Sequence, residues 1–393
     1  MDIKKLIKKA AEDYYKELVS IRRQLHKYPE LSFKEFKTSD FIAEKLEEAG
    51  IKHTRGFVKT GILGEIDGTG EGPVVGIRAD MDALPINEEN EIEFKSQNEG
   101  VMHACGHDVH TTCLLGAAKV LNDLRQHFPG KVLLIFQPGE ELLPGGAKLM
   151  MDEGLFNQTK PDLIIAQHVL PTLESGKTGF KPGMYMASTD EIYLTVKGNG
   201  GHAAMPHNLV DPVLITSHII VALQQVVSRN GNVAIPSVLS FGKVTANGAT
   251  NVIPPKVDIA GTFRTMDETW RSTAHEKIQK IATGIAEGMG GSCEINIAKG
   301  YPVLFNDEEV TIKAKEFAVE LHGPEQVIDL DLRMTAEDFA YFSQQYPATM
   351  FRLGVAGDFP LAQLHNPRFM VDEKAIKTGV ETLSWLTYKF LTQ

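Results

Sequence analysis

Apolar residues recur every three or four positions at the start of the chain, at Ile3, Leu6, Ile7, Ala10, Tyr14, Leu18, Ile21 and Leu25. That period lines them along one face of a helix and leaves lysines and acids on the other. Pro29 closes the helix, and Ser32 with Glu35 three residues on reads as a capping box for a second helix running to Gly50. Apolar runs of strand length then alternate with helical patterns: a strand over 74–77, a helix over about 109–125, a strand over 132–136, a short helix near Ala147 and a strand over 163–166. Such alternation predicts an α/β sheet with many parallel strands.

The pattern changes between about 187 and 299. There it gives a strand (192–196), a helix (212–227), two strands (237–243 and 256–264), a helix (270–286) and a strand (292–297), the order of a ferredoxin-like β-α-β-β-α-β unit. After residue 300 the first style returns, with a helix to Leu321, a strand over 350–355 and an amphipathic helix over 374–390. The expectation is therefore an α/β protein in which a mixed, largely parallel sheet is built from residues 1–186 and 300–393, with an α+β domain, 187–299, inserted between them.

Length agrees, since 393 residues exceed the roughly 250 to 300 at which one core stops growing. A content of 42% hydrophobic and 23% charged residues supplies two cores and excludes global disorder. The net charge of −11, with no Lys/Arg stripe, argues against nucleic acid or an anionic membrane and for a small-molecule partner. Cys105, Cys113 and Cys293 are too few and too scattered for a disulfide framework, which points to a reducing compartment. The first helix carries too many charges for a secretory segment, and no uncharged run approaches the ~20 apolar residues of a membrane span. The location expected is cytoplasmic.

Candidate chemistry concentrates in His103-Ala104-Cys105-Gly106-His107-Asp108-Val109-His110. Cys105 and His107 flank a glycine whose permissive backbone can aim both side chains at one point. A thiolate can bridge two cations, and imidazole is the commonest neutral ligand; the competing reading is a buried thiol beside helix-capping polar groups. Glu140 and Glu141 follow the 132–136 strand at the sheet end where open α/β folds gather ligands, one able to bind metal and the other to act as a base. Alone, they could equally form a solvated acidic turn. His168 follows the 163–166 strand in the corresponding place, and His365 stands in a Gly/Pro loop after another strand. Asp80 and Asp82 close the 74–77 strand, either as ligands or, the favoured reading, as carboxylates that orient a metal-bound imidazole. In the inserted segment, the glycine-rich turn 198–202 ends in His202, and Asn251 and Arg264 flank the 256–264 strand. Arginine is suited to gripping a carboxylate through two hydrogen bonds.

Together these segments resemble the M20 metallopeptidases, in the branch of N-acyl amino acid amidohydrolases, hippurate hydrolases and related carboxypeptidases. Arg22 and Arg23, residues 29–32, 78–85, 103–110, 137–141, 200–207, 251–254 and 336–339 carry the resemblance. It implies two divalent metal ions (zinc, manganese or cobalt) held by Cys105, His107, Glu141, His168 and His365, with Glu140 as general base. It further implies that 187–299 is a lid and dimerisation domain. On that reading His202 is lent across a homodimer to stabilise an oxyanion, and Asn251 and Arg264 receive the carboxylate of an N-acyl amino acid. Asp80 stands where other members have a histidine ligand, so its role and the division of ligands between the ions stay open. The alternatives are a dipeptidase or carboxypeptidase acting on free peptides and a metal- or ligand-binding scaffold without turnover.

Overall fold

The computed structural model describes residues 2–393. Helix α1 (Ile3–Lys27) buries Ile7, Ala11, Leu18, Ile21 and Leu25, the stripe its periodicity predicts, and Asp2 caps it at the Lys5 N–H. It also buries two polar residues one turn apart, Arg22 and His26. Helix α2 (Phe36–Glu48) is not started by the expected capping box: its N-cap residue Glu35 makes no side-chain cap bond, and Glu30 Oε2 accepts from Thr38 N in the first turn at 2.8 Å instead. Instead the Ser32 hydroxyl donates to Asp82 Oδ2 at 2.6 Å, and the Glu35 carboxylate accepts from Phe33 N, Gly139 N and Thr60 Oγ1. Long-range partners, Asp82 for Ser32 and Gly139 and Thr60 for Glu35, take the place of the reciprocal cap.

A hairpin of β1 (Lys52–Phe57) and β2 (Gly61–Asp67) follows, which the apolar pattern does not announce because β1 lies mostly exposed. Next come β3 (Val74–Asp80), α3 (His107–Asp123), β4 (Lys131–Gln137), α4 (Gly146–Asp152), β5 (Leu163–Glu174), β6 (Thr178–Phe180) and β7 (Gly183–Met186). Helix α3 starts two residues before the apolar pattern suggests, and β5 runs eight residues past its apolar stretch, so His168 lies inside a strand rather than after one.

Residues Met184–Leu304 and Leu332–Glu337 form one compact unit. Its elements are β8 (Asp190–Lys197), β9 (Gly201–His202), α5 (Pro212–Gln225), β10 (Ser237–Thr245), β11 (Val252–Ile253), β12 (Lys256–Thr265), α6 (Glu268–Gly288) and β13 (Ser292–Lys299). Four of the strands make an antiparallel sheet in the order β10-β12-β8-β13. Alternate residues of β8 are buried, and Ile192, Leu194 and Val196 join Ile215, Ile219 and Leu223 of α5 and Ala274 and Ile278 of α6 in one apolar core. Asp190 ties this sheet to α6 by accepting from Arg271 Nε at 2.9 Å and His275 Nε2 at 2.7 Å. Burial would raise its carboxyl pKa, but these donors outweigh that and hold it below the usual range.

The other unit contains the chain up to Gly183 together with Phe305–Asp331 and Asp338–Gln393. Beyond β14 (Leu304–Asn306), the returning chain supplies α7 (Glu308–His322), β15 (Val327–Asp329), α8 (Ala340–Ser343), β16 (Ala348–Ala356) and α9 (Lys374–Thr392). The protein is mixed α/β with one large, mostly parallel sheet, ordered β1-β2-β4-β3-β5-β16-β6-β15. Strands β4, β3, β5 and β16 run parallel, and Leu18, Leu114, Phe317 and Leu386 of α1, α3, α7 and α9 share a core with Ile77, Ile165 and Phe351. Asp80 pairs with Gln137 in register, so β3 and β4 end at one level and their following loops emerge together. Among the described residues no helix is long and apolar enough to cross a membrane.

Candidate metal centre

Four loops or strand ends of the larger unit converge here: Asp82 after β3, Glu140 and Glu141 after β4, His168 within β5, and Cys105 and His107 at the start of α3. Gly106 makes the last possible, for it is the α3 N-cap at φ +83°, a left-handed conformation open to glycine. Asp108, one residue on, accepts from Arg22 Nε and His26 Nδ1, each at 2.8 Å, and so ties the first turn of α3 to α1. Burial opposes ionisation of Asp108, but Arg22 and His26 hold its carboxyl far below the usual range.

His107 takes its orientation from Asp82. Its Nδ1 lies 2.9 Å from the Asp82 carbonyl and 3.1 Å from Asp82 Oδ1, so Nδ1 carries a proton and Nε2 is the nitrogen that offers a lone pair when the ring is neutral. Nε2 makes no hydrogen bond although it is buried, and the nearest oxygens of Asp80, Glu140 and Glu141 stand at 3.8, 3.9 and 4.0 Å. Cys105 Sγ is 3.5 Å from His168 Nε2, and His168 Nδ1 donates to the Val169 carbonyl, again leaving Nε2 as the lone pair. His365, held at φ +63° by its N–H on the Ala104 carbonyl, puts Nε2 3.1 Å from Glu141 Oε1, a buried oxygen that makes no hydrogen bond.

Ligand-type atoms of Cys105, His107 and His168 lie within 4.8 Å of one another, as do those of Cys105, Glu141 and His365 and those of His107, Glu140 and Glu141. The first two trios share Cys105, the arrangement a thiolate bridging two cations requires. The electrostatics also fit cations. Burial would drive His107 down, yet Asp80, Asp82 and Glu141 raise its pKa to about 10; burial and then Glu141 and Glu140 push the Cys105 thiol well above its ordinary value. A divalent ion reverses both by supplying the positive charge that this carboxylate cluster lacks. Orphaned lone pairs, a thiol and paired carboxylates at one point are a donor set that suits such ions.

Asp80 is otherwise engaged. Its Oδ2 accepts from Arg78 Nη1 at 2.7 Å and its Oδ1 pairs with His110 Nδ1 at 2.6 Å, while His110 Nε2 accepts from Val169 N at 2.9 Å. Burial works against the Asp80 charge, but His107, Arg78 and His110 hold its pKa well below the usual range. Arg78 also donates to Gln137 Oε1 and Asp338 Oδ1, and Asp338 accepts from Gln137 and the Ala147 N–H. The roles of His110, Arg78, Gln137, Asp338 and Glu35 are not read from the sequence. Arg78, a charge inside an apolar strand, was the available signal; the spacing of His110 one turn after His107 was another.

The remaining candidates belong to the smaller unit. His202 on β9 pairs with Val252 of β11, Ala203 N donates to the Asn251 carbonyl, and these residues form a short exposed ribbon. Ala204 N donates to His202 Nδ1 at 3.1 Å, which leaves the proton of the neutral ring on Nε2. Arg264 on β12 is half-buried and donates from Nη1 to the Met334 carbonyl.

Comparisons with known proteins place these features in context. The pattern of a family described as peptidase family M20/M25/M40 matches residues 76–388. An N-acyl-L-amino acid amidohydrolase of Geobacillus stearothermophilus is 42% identical over 306 residues, covering 78% of this chain and 82% of its own. An N-acetyl-L-cysteine deacetylase of Bacillus subtilis is 40% identical over 361 residues, covering 92% and 85%. The crystal structure of a dinuclear metal binding peptidase from family M20 of Bacillus subtilis superposes with a TM-score of 0.85 at 34% identity, covering 97% of this chain and 99% of that one.

Proposed function

We propose that this chain, which belongs to peptidase family M20/M25/M40, is a hydrolase that uses two divalent cations to cleave the amide bond of N-acyl amino acids. The two ligand trios that share Cys105 carry the reading. With Cys105, His107 and His168 would hold one cation, and Glu141 and His365 would hold the other. Cations held there would supply the charge that acidifies a water molecule and polarises the scissile carbonyl.

The chain's own residues do the rest. Glu140, beside His107 and Glu141 but not needed in either trio, takes the proton of the attacking water and returns it to the leaving amine. Asp82 keeps His107 in the tautomer that offers Nε2, and Asp80 with His110 fixes Val169 next to His168. His202, protonated at Nε2, stabilises the oxyanion across a homodimer, and Asn251 and Arg264 hold the substrate carboxylate.

The smaller unit serves as a ferredoxin-like lid and dimerisation domain inserted into the catalytic one. Its strand order supports that role, and so does the open edge of β10 beside exposed Val213, Leu214 and Val221 of α5 and Val238 and Val244 of β10. The test is a panel of N-acetyl, N-benzoyl and longer N-acyl amino acids set against the corresponding dipeptides, each with zinc, manganese or cobalt. Preferential turnover of the N-acyl series is expected. Faster cleavage of the dipeptides would move the assignment to a peptidase, and no turnover by metal-loaded protein would refute it.

A further inference from the structure

The segment between α1 and α2 is built around two buried carboxylates that both reach the metal centre. Glu35 is fully buried. Its Oε1 accepts from Phe33 N and from Gly139 N, each at 2.8 Å, and its Oε2 accepts from Thr60 Oγ1 at 2.9 Å. Phe33 (φ +63°) and Gly139 (φ +62°) are both left-handed, and a Cβ on Gly139 would lie 2.3 Å from Phe33 Cε1, so the ring rests directly on the glycine. A bulky non-glycine residue in that conformation persists only where surrounding bonds over-determine it. Three residues earlier Ser32 donates to Asp82 Oδ2, which also accepts from Glu141 N at 3.0 Å, while Oδ1 of the same carboxylate meets His107. None of these bonds caps α2.

We propose that Glu35 is a positioning residue for the metal centre. One of its oxygens clamps Gly139, the residue before the general base Glu140 and two before the ligand Glu141, and thereby fixes the turn from which both carboxylates project. The proposal rests on the metal-centre reading above. A ligand must be held to within about half an ångström of its productive place, and the 138–141 turn has no regular structure of its own to do this. Glu35 and Asp82 supply the rigidity, one at each end of the Gly139–Glu141 stretch. The capping box that the Ser32 and Glu35 spacing suggests is instead an internal brace.

Four full-length variants test this: Glu35→Ala, Glu35→Asp, Glu35→Gln and Thr60→Val. Cobalt affinity is read from thiolate-to-metal charge-transfer absorption of the Cys105 site, and kcat and KM from hydrolysis of an N-acetyl amino acid at saturating cobalt. Glu35→Ala removes the clamp, and Glu35→Asp withdraws it by one methylene while keeping a carboxyl group. Both are expected to weaken cobalt binding by about tenfold or more and to lower kcat while leaving KM nearly unchanged. Glu35→Gln still offers one oxygen to both N–H groups and turns its amide to Thr60 Oγ1, so it is expected to stay within about threefold of wild type in both readouts. Thr60→Val loses stability without loosening the turn, and its affinity and kcat are expected to hold. Wild-type cobalt affinity and kcat in either Glu35→Asp or Glu35→Ala overturn the proposal alone. So do losses in all four variants that simply follow their melting temperatures. A wild-type chain with no charge-transfer band overturns the metal-centre reading, and this proposal with it.

Discussion

Replacing Gly106 by alanine tests the backbone that joins Cys105 to His107. Two costs can be worked out. The residue sits at φ +83°, where an L-residue is disfavoured by about 1–2 kcal/mol. An added Cβ would also lie 2.6 Å from Val169 Cγ2 and 3.2 Å from Cγ1. Val169 is fully buried in β5 and stiff at χ1, so it cannot swing aside, and overpacking of this kind costs about 1–3 kcal/mol. The sum is about 2–5 kcal/mol. Val169→Ala alone should cost about 1.5–3 kcal/mol of apolar burial. Combined, the methyl added by Gly106→Ala enters the space the valine leaves, so the double variant should be less destabilised than the sum by about 1–3 kcal/mol, with only the backbone cost remaining at Gly106. The chain has two tryptophans, Trp270 in the smaller unit and Trp385 in α9 of the larger. Urea unfolding in a Trp270→Phe background therefore reports the larger unit through Trp385 alone. Single-variant losses that add to within about 0.5 kcal/mol, or a neutral Gly106→Ala, would refute the reasoning.

The proposed roles yield further outcomes. Glu140→Gln should retain metal but lose turnover by several orders of magnitude, and retained activity would remove Glu140 from the base role. Glu141→Ala should lower metal occupancy by elemental analysis; full occupancy counts against it as a ligand. Mixing inactive His202→Ala and Glu140→Gln subunits should restore activity in hybrid dimers, and a mixture as inactive as its components would contradict an oxyanion group lent across the interface. His322 gives a pH dependence away from the metals: burial, then Lys8, lowers its pKa to about 4 from 6.5. A histidine kept neutral in the fold contributes its full stability above pH 6.5 and loses it as the pH falls towards 4, by about 3 kcal/mol in all. His322→Gln should flatten that part of the pH–stability curve, and an unchanged slope would show that other groups control it.

The amphipathic stripes of α1 and α9 and the apolar runs of β3, β4 and β16 were legible in the sequence, because burial of one face, or of a whole strand, must be written into residue order at a fixed period. The pairing of Cys105 with His107 was legible for a related reason, because ligand-type residues two apart across a glycine reach one point through a single turn, whereas Glu140 and Glu141 alone read as well as a solvated acidic turn. Only the tertiary structure decided the rest. His365 meets Glu141 across 224 positions and Arg78 meets Asp338 across 260, separations at which no local spacing carries information. Asp80 is committed to Arg78 and His110, which its place at a strand end did not reveal. Ser32 and Glu35 show the limit most plainly. Their spacing encodes the donors and acceptors of a helix cap, but a side chain bonds to whichever partner the fold brings closest. Here the fold offers Asp82, Thr60 and the backbone of Gly139, and the reciprocal cap between Ser32 and Glu35 is not made.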